Sequence, residues 1–204
     1  MATRPYHHGN LREALIEAAL KLLGEKGFRN LTLRNVAREA GVTASAMYRH
    51  YESKEALLAG VAEDGFQKLI QAGERELKRN TGDPAKVYQG LSSAYVGFAM
   101  EHPEQLRIMF SNAIEDRSQH PELQHTSSKS FQQLVDSVRD CQEQGLIKGQ
   151  HDTLLVALSL WSMLHGLSML VVERQIPGVT NNPRKTRALA QSMGRLVLEG
   201  LGNT

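Results

Sequence analysis

One short stretch, LTLRNVAREAGVTASAMYRHYESK from Leu31 to Lys54, gathers side chains suited to holding and reading a phosphodiester backbone. The Thr32 hydroxyl and the adjacent N–H groups at a helix start, the Tyr48 hydroxyl, His50 and Lys54 are the kinds of donor that phosphate oxygens accept. Thr43, Ala44 and Ser45 are small, so a helix that begins with them can enter a major groove closely. Thr43 and Ser45 offer hydroxyls there, and the Ala44 methyl suits a thymine methyl. Arg49 shares a face with Ala44, Ser45 and Tyr48, at spacings of three and four. A solvated helical hairpin could carry the same basic residues. The hydroxyls at both helix starts, the small-residue face and a local charge excess argue instead for DNA.

That excess is uneven along the chain. The formal net charge of the 204 residues is +2, but residues 1–54 hold nine Lys and Arg against five Glu and no Asp. The amino-terminal quarter is therefore the basic part, and the remainder is slightly acidic.

Short helices must position these groups. Strand signals are nearly absent and apolar residues recur at helical spacing, which predicts an all-α fold. Asn10 is placed to cap a first helix from Leu11 to Glu25, with Leu11, Leu15, Ala18 and Leu22 on one face and Gly24 and Gly27 ending it. Thr32 caps a second helix through Ala40, Gly41 supplies the sharp turn, and a third helix spans Ala44 to His50. Val36, Ala37, Ala40, Val42, Met47 and Tyr51 form the inward side of this three-helix unit.

A long fourth helix follows from Ser53 to Arg79, ended by Thr81-Gly82-Asp83-Pro84. Further helices are expected near Ala85–Glu101, Pro103–Phe110, Ser127–Glu143, Asp152–Glu173 and Pro183–Glu199, about nine in all. Asn112–Thr126 is expected to be a loose connection.

The same residues carry a family resemblance. Gly27-Phe28, Thr32, Gly41-Val42-Thr43, Met47-Tyr48-Arg49-His50-Tyr51 and Ser53-Lys54-Glu55-Ala56-Leu57 stand in the order and spacing of the tetracycline-repressor (TetR) family, over about residues 10–60. The resemblance implies a homodimer binding a palindromic operator. It places Thr43, Ala44, Ser45 and Tyr48 in the groove, and Thr32, Tyr48, His50 and Lys54 on phosphates. Tyr51 departs from the Phe common in the family, and its hydroxyl needs a partner or water. Before the first helix, Arg4-Pro5-Tyr6-His7-His8-Gly9 could track phosphates or enter the minor groove, or be a frayed end.

Farther along, His102–Phe110 and Leu160–Gly166 look like the TetR subgroup named for a Trp-His-Gly signature, here Trp161, His165 and Gly166. Trp161 and His165 lie at i, i+4 and are neighbours, and Gly166 would let another helix approach. They belong either to a plain core or, with Tyr95, Phe98, Met109, Phe110 and Met163, to a cavity for a small apolar effector. Apolar stripes at Leu154, Leu155, Leu158, Trp161 and Leu164, and at Leu189, Met193, Leu196 and Val197, predict a dimer through the last two helices. Burial of Leu189 and Leu196 within one subunit is the alternative.

Composition excludes other classes. Cys141 is the only cysteine, so no intrachain disulfide can form. The histidines have no metal-ligand spacing, and neither a metal nor a cofactor is expected. Thr153–Val172 is nearly apolar but interrupted by Ser159, Ser162, His165, Gly166 and Ser168, so a helix buried in protein is expected rather than a membrane span. No signal core follows Arg4, pointing to the cytoplasm. The expected organisation is a DNA-binding domain over 1–54 and an effector-binding and dimerisation domain over 55–204, with double-stranded operator DNA, a second copy and a small effector as partners. The rival classes are a helical enzyme using His165 or Cys141 and a protein-binding adaptor.

Overall fold

A computed structural model describes residues 11–202, so the Arg4–Gly9 arm and the Asn10 cap lie outside the described residues. Helices α1 (Leu11–Lys26), α2 (Leu33–Glu39) and α3 (Ala44–Tyr48) form the amino-terminal unit, and α4 (Lys54–Arg79) leads out of it. The larger unit continues with α5 (Pro84–Glu101), α6 (Pro103–Met109), α7 (Pro121–Glu143), α8 (Thr153–Val172), α9 (Pro177–Thr180) and α10 (Pro183–Leu201). No strand occurs among the described residues.

Local chemistry sets most boundaries. Thr32, Thr43, Ser53, Asp83, Asp152 and Asn182 each accept a backbone N–H into their side-chain oxygen at a helix start. Proline occupies the first turn of α5, α6, α7, α9 and α10, where no donor is lost. Gly24 stays inside α1, and it is Gly27, at φ 71°, that turns the chain away. The third helix stops at Tyr48, short of the expected His50. The N–H groups of His50 and Tyr51 both converge on the Met47 carbonyl, closing the helix so that Tyr51 folds back into the core.

The connection after α6 is more ordered than its polar sequence suggests. Asp116 caps a 3-10 turn over Arg117–Gln119, and α7 begins at Pro121 rather than Ser127, because Leu123 and Thr126 find buried sites. The short α9 has no signal in the periodicity, and it brings the α-helices among the described residues to ten.

The core of the amino-terminal unit joins Leu15, Ala19, Leu22, Val36 and Met47 to Leu57 of α4, all at most 2% exposed. Each large side chain so buried contributes about 1.5–3 kcal/mol. Helix α4 crosses from this core to the other, packing on α5, α6 and α7. Helix α8 is long and apolar enough by composition to cross a membrane, yet it packs on α5, α7 and α10 with one face in the core.

Candidate nucleic-acid interface and ligand cavity

The helix-turn-helix presents its small-residue face outward. Thr43, Ala44, Ser45, Tyr48, Arg49 and His50 are all exposed, whereas Ala46 and Met47 of the same turns are buried. The Thr43 hydroxyl accepts the Ala46 N–H at 3.2 Å and lies 3.0 Å from the Ser45 hydroxyl, so the head of α3 carries two hydroxyls side by side. The Thr32 hydroxyl accepts the Asn35 N–H at 3.2 Å. Its own proton remains available to an acceptor in solvent. Arg34 and Arg38 of α2 are also exposed, and the sequence reading passed over them.

Among the side chains expected to hold phosphate, Lys54 is already engaged within the chain. Its ammonium donates to the Phe28 carbonyl at 3.1 Å and sits 3.7 Å above the Phe28 ring. Partial burial lowers its pKa from the ordinary lysine value. The lysine thus ties the turn after α1 to the first turn of α4, and keeps further N–H groups for an anion.

Helix α4 is gripped from both sides. Tyr51 lies against Gly60, where an added Cβ would stand 2.7 Å from the phenol oxygen. No described residue hydrogen-bonds to that oxygen, although the Arg12 guanidinium is close to it. Arg12 also pairs with the buried Glu63 at 2.6 Å. From the other unit, the buried Gln105 amide of α6 donates to the Val61 carbonyl at 2.9 Å and to Asp64 at 2.6 Å. Gln133 of α7 donates to the Ile70 carbonyl at 3.3 Å.

Beyond Gly60, α4 forms one wall of a cavity of about 440 Å³. Phe66 and Leu69 of α4, Leu91 and Tyr95 of α5, Phe131 and Leu134 of α7, and Trp161 and Leu164 of α8 line it, with Phe110 beside them. The rings interlock: Phe110 lies 5.7 Å from Phe66 and 5.9 Å from Trp161, and Trp161 lies 5.6 Å from Phe131, centroid to centroid. Trp161 Nε1 donates to the Tyr95 oxygen at 3.2 Å, and that phenol is 2.9 Å from His165 Nδ1. The phenol thus joins the indole to the imidazole, with Tyr95 as donor to Nδ1 when the neutral ring carries its proton on Nε2. Burial lowers the His165 pKa and raises that of Tyr95, in keeping with this arrangement.

Of the side chains expected around an effector, Tyr95, Phe110 and Trp161 line the cavity, and His165 reaches it through Tyr95. Three others do not line it. Phe98 faces another side of α5, its ring tilted against His102 with centroids 5.1 Å apart, and Met109 is fully buried beneath Gly65 of α4. Met163 is half-buried on α8 but is not among the residues that line the cavity. Gly166 has open space around it, with nothing beyond its own helical turns within 4 Å of an added Cβ, so no other described helix uses it for close approach. The sequence reading missed Phe66, Phe131 and Leu134, whose helical spacing signalled only burial, and Arg117, for which no local signal existed.

A helix-turn-helix with a polar, small-residue reading face, built onto a larger helical unit, defines a DNA-binding transcriptional regulator. Comparison with known proteins makes the class specific. Residues 15–61 match the family of bacterial regulatory proteins of the tetR type, and residues 89–197 match the tetracyclin repressor-like C-terminal domain. The chain belongs to the TetR family. It is 25% identical over 193 residues to the HTH-type transcriptional repressor KstR2 of Mycobacterium tuberculosis, covering 93% of this chain and 92% of that one. A protein of unknown function from Rhodococcus sp. RHA1 shares 30% identity with a TM-score of 0.82, over 98% of this chain and all (100%) of the other. The TetR family regulator PfmR of Thermus thermophilus shares the fold, at 23% identity and a TM-score of 0.71 over 93% and 99% of the two chains.

Proposed function

We propose that this regulator is a homodimeric, effector-responsive repressor of the cytoplasm that binds a palindromic operator through Thr32, Thr43, Ala44, Ser45, Tyr48, Arg49, His50 and Lys54. The observation that carries the reading is the continuity of α4. One helix holds Tyr51 of the helix-turn-helix at Gly60 and supplies Phe66 and Leu69 to the cavity. An apolar ligand that repacks the cavity wall therefore acts on the same rigid element that sets the recognition helix. Half-sites about 34 Å apart tolerate little change in the spacing of two recognition helices. For release, the effector must bind the conformation that does not fit DNA more tightly.

Residues 1–54 serve as the DNA-binding part and 55–204 as the effector and dimer part, with α4 passing between them. The Trp-His-Gly resemblance fits this division, since Trp161 and His165 meet at Tyr95 beside the cavity. Dimerisation through α8 and α10 is supported by exposed leucines: Leu154 at 50%, Leu155 at 63% and Leu196 at 64% exposed, with Leu158, Leu170 and Leu189 nearby. Trp161 and Leu164, placed in that stripe by sequence, turn inward instead. Ser162 and Gly166 are exposed in the same row as Leu158 and Leu170, so a second α8 can approach closely there.

Selection of bound fragments from random DNA tests the reading. A palindrome is expected, bound by a dimer in light scattering, and Leu155→Arg with Leu196→Arg should yield monomers of weakened DNA affinity. Enrichment of no sequence, or of a single half-site with monomeric protein, refutes it.

A further inference from the structure

The chemistry of the cavity says more about its ligand than that it is apolar. Arg117 is the one charged residue among the described residues that line it. One of its N–H groups donates to the Met109 carbonyl at 2.5 Å, closing the end of α6. The guanidinium forms no ion pair among the described residues, and the neighbouring Asp116 carboxylate is occupied by Ser118 and Gln119. Four of its five donors are thus left for another acceptor. Ser127 and Ser130, one helical turn apart on α7, add hydroxyls to the same lining.

A neutral apolar ligand would strip water from this cation and return nothing. A carboxylate would return two charge-assisted hydrogen bonds in a fork geometry. We propose that the cavity takes an amphipathic monoanion, an apolar body among Phe66, Phe110, Phe131 and Trp161 with a carboxylate head on Arg117. The proposal rests on the reading of this cavity as the effector site and adds the chemical class of the effector.

The head group also has a route to DNA. The Glu55 carboxylate accepts the backbone N–H groups of Glu115 at 3.0 Å and Asp116 at 3.3 Å, the two residues before Arg117. Glu55 lies in the first turn of α4, next to Lys54. A carboxylate that draws on Arg117 therefore loads a segment already tied to the base of the DNA-binding unit.

Trp161 is the only tryptophan, so its fluorescence reports the cavity directly. Dodecanoate and dodecanol are titrated as probes of equal chain length. Dodecanoate is expected to bind at least about tenfold more tightly. Arg117→Gln should remove the difference by weakening dodecanoate without weakening dodecanol, and Arg117→Lys should keep most of it, with thermal melts confirming the fold of each variant. Equal affinities in the natural protein, a preference that survives Arg117→Gln, or no response to either probe overturns the proposal. DNA binding separates the two claims. Release of selected DNA by both probes alike refutes the anion and spares the effector site. Tight dodecanoate binding through Arg117 without any change in DNA affinity upholds the ligand class and refutes the effector reading.

Discussion

Gly60 is where the coupling between the two units is most exposed to test. In Gly60→Ala, the new Cβ stands 2.7 Å from both Cε1 and the hydroxyl of Tyr51 and 3.0 Å from Cζ. Real Cβ atoms do not approach so closely, so Tyr51 or α4 must shift. An alanine inside a helix gains about 1 kcal/mol over glycine. Overpacking a tight core costs about 1–3 kcal/mol. The net is a loss of up to about 2 kcal/mol, or roughly 4–8 °C in Tm for a chain of this size. Gly24→Ala is the control, because its Cβ meets only Glu104 Cγ at an ordinary 3.8 Å, and it should gain stability. Tyr51→Phe removes one of the two closest atoms, so adding it to Gly60→Ala should restore part of the loss. The cycle should be non-additive by more than about 0.5 kcal/mol. Thermal and urea melts of the four variants decide this. A Gly60→Ala protein as stabilised as Gly24→Ala, or strict additivity with Tyr51→Phe, would refute the packing argument and the mechanical link built on it.

The proposed DNA contacts make a separate prediction: Tyr48→Phe and Lys54→Ala weaken binding across operator sequences, and the lysine change lowers the salt slope by about one. Unchanged affinities for both at matched salt would remove them from the interface. Glu55→Ala should leave probe binding at Trp161 intact but reduce the effect of that binding on DNA affinity; retention of the full effect would mean the Glu115–Asp116 segment carries none of the coupling. His165 predicts a pH dependence of stability. Its folded pKa is depressed by burial, so below the unfolded value of about 6.5 the unfolded chain takes up a proton that the native chain resists. Stability therefore falls as pH drops from about 6.5 toward the folded pKa, and His165→Gln should flatten that slope. His102 shifts in the same direction, through burial and then Lys68, and contributes alongside it. An identical slope in melts of His165→Gln would assign the effect elsewhere.

Much of the amino-terminal unit was legible because its signals are local. Caps at Thr32, Thr43 and Ser53 and the turn at Gly41 act within four residues of themselves, so their meaning does not depend on the rest of the fold. The larger unit was legible as helices but less so as a site. Residue type and spacing put Phe98 and Met109 among the residues expected around a cavity, yet they cannot say which helix a buried side chain meets. The cavity takes Phe66 and Phe131 and leaves Phe98 on His102 and Met109 under Gly65. The Asn112–Thr126 segment misled for a related reason. Its polar residues look like solvent-facing loop, but Asp116 and Pro121 start structure there, and Leu123 is fixed by a core distant in sequence.

Periodicity and capping over a few turns are enough to specify the all-α class, the helix-turn-helix and its outward face, and all three could be read from the order of residues alone. Helix packing added the rest: which apolar residues enclose a cavity, that Arg117 is its charged member, and that Glu55, Gly60 and Gln105 bind α4 to both units. Those are contacts between residues far apart in the chain, and no local spacing encodes which helix a buried side chain will meet.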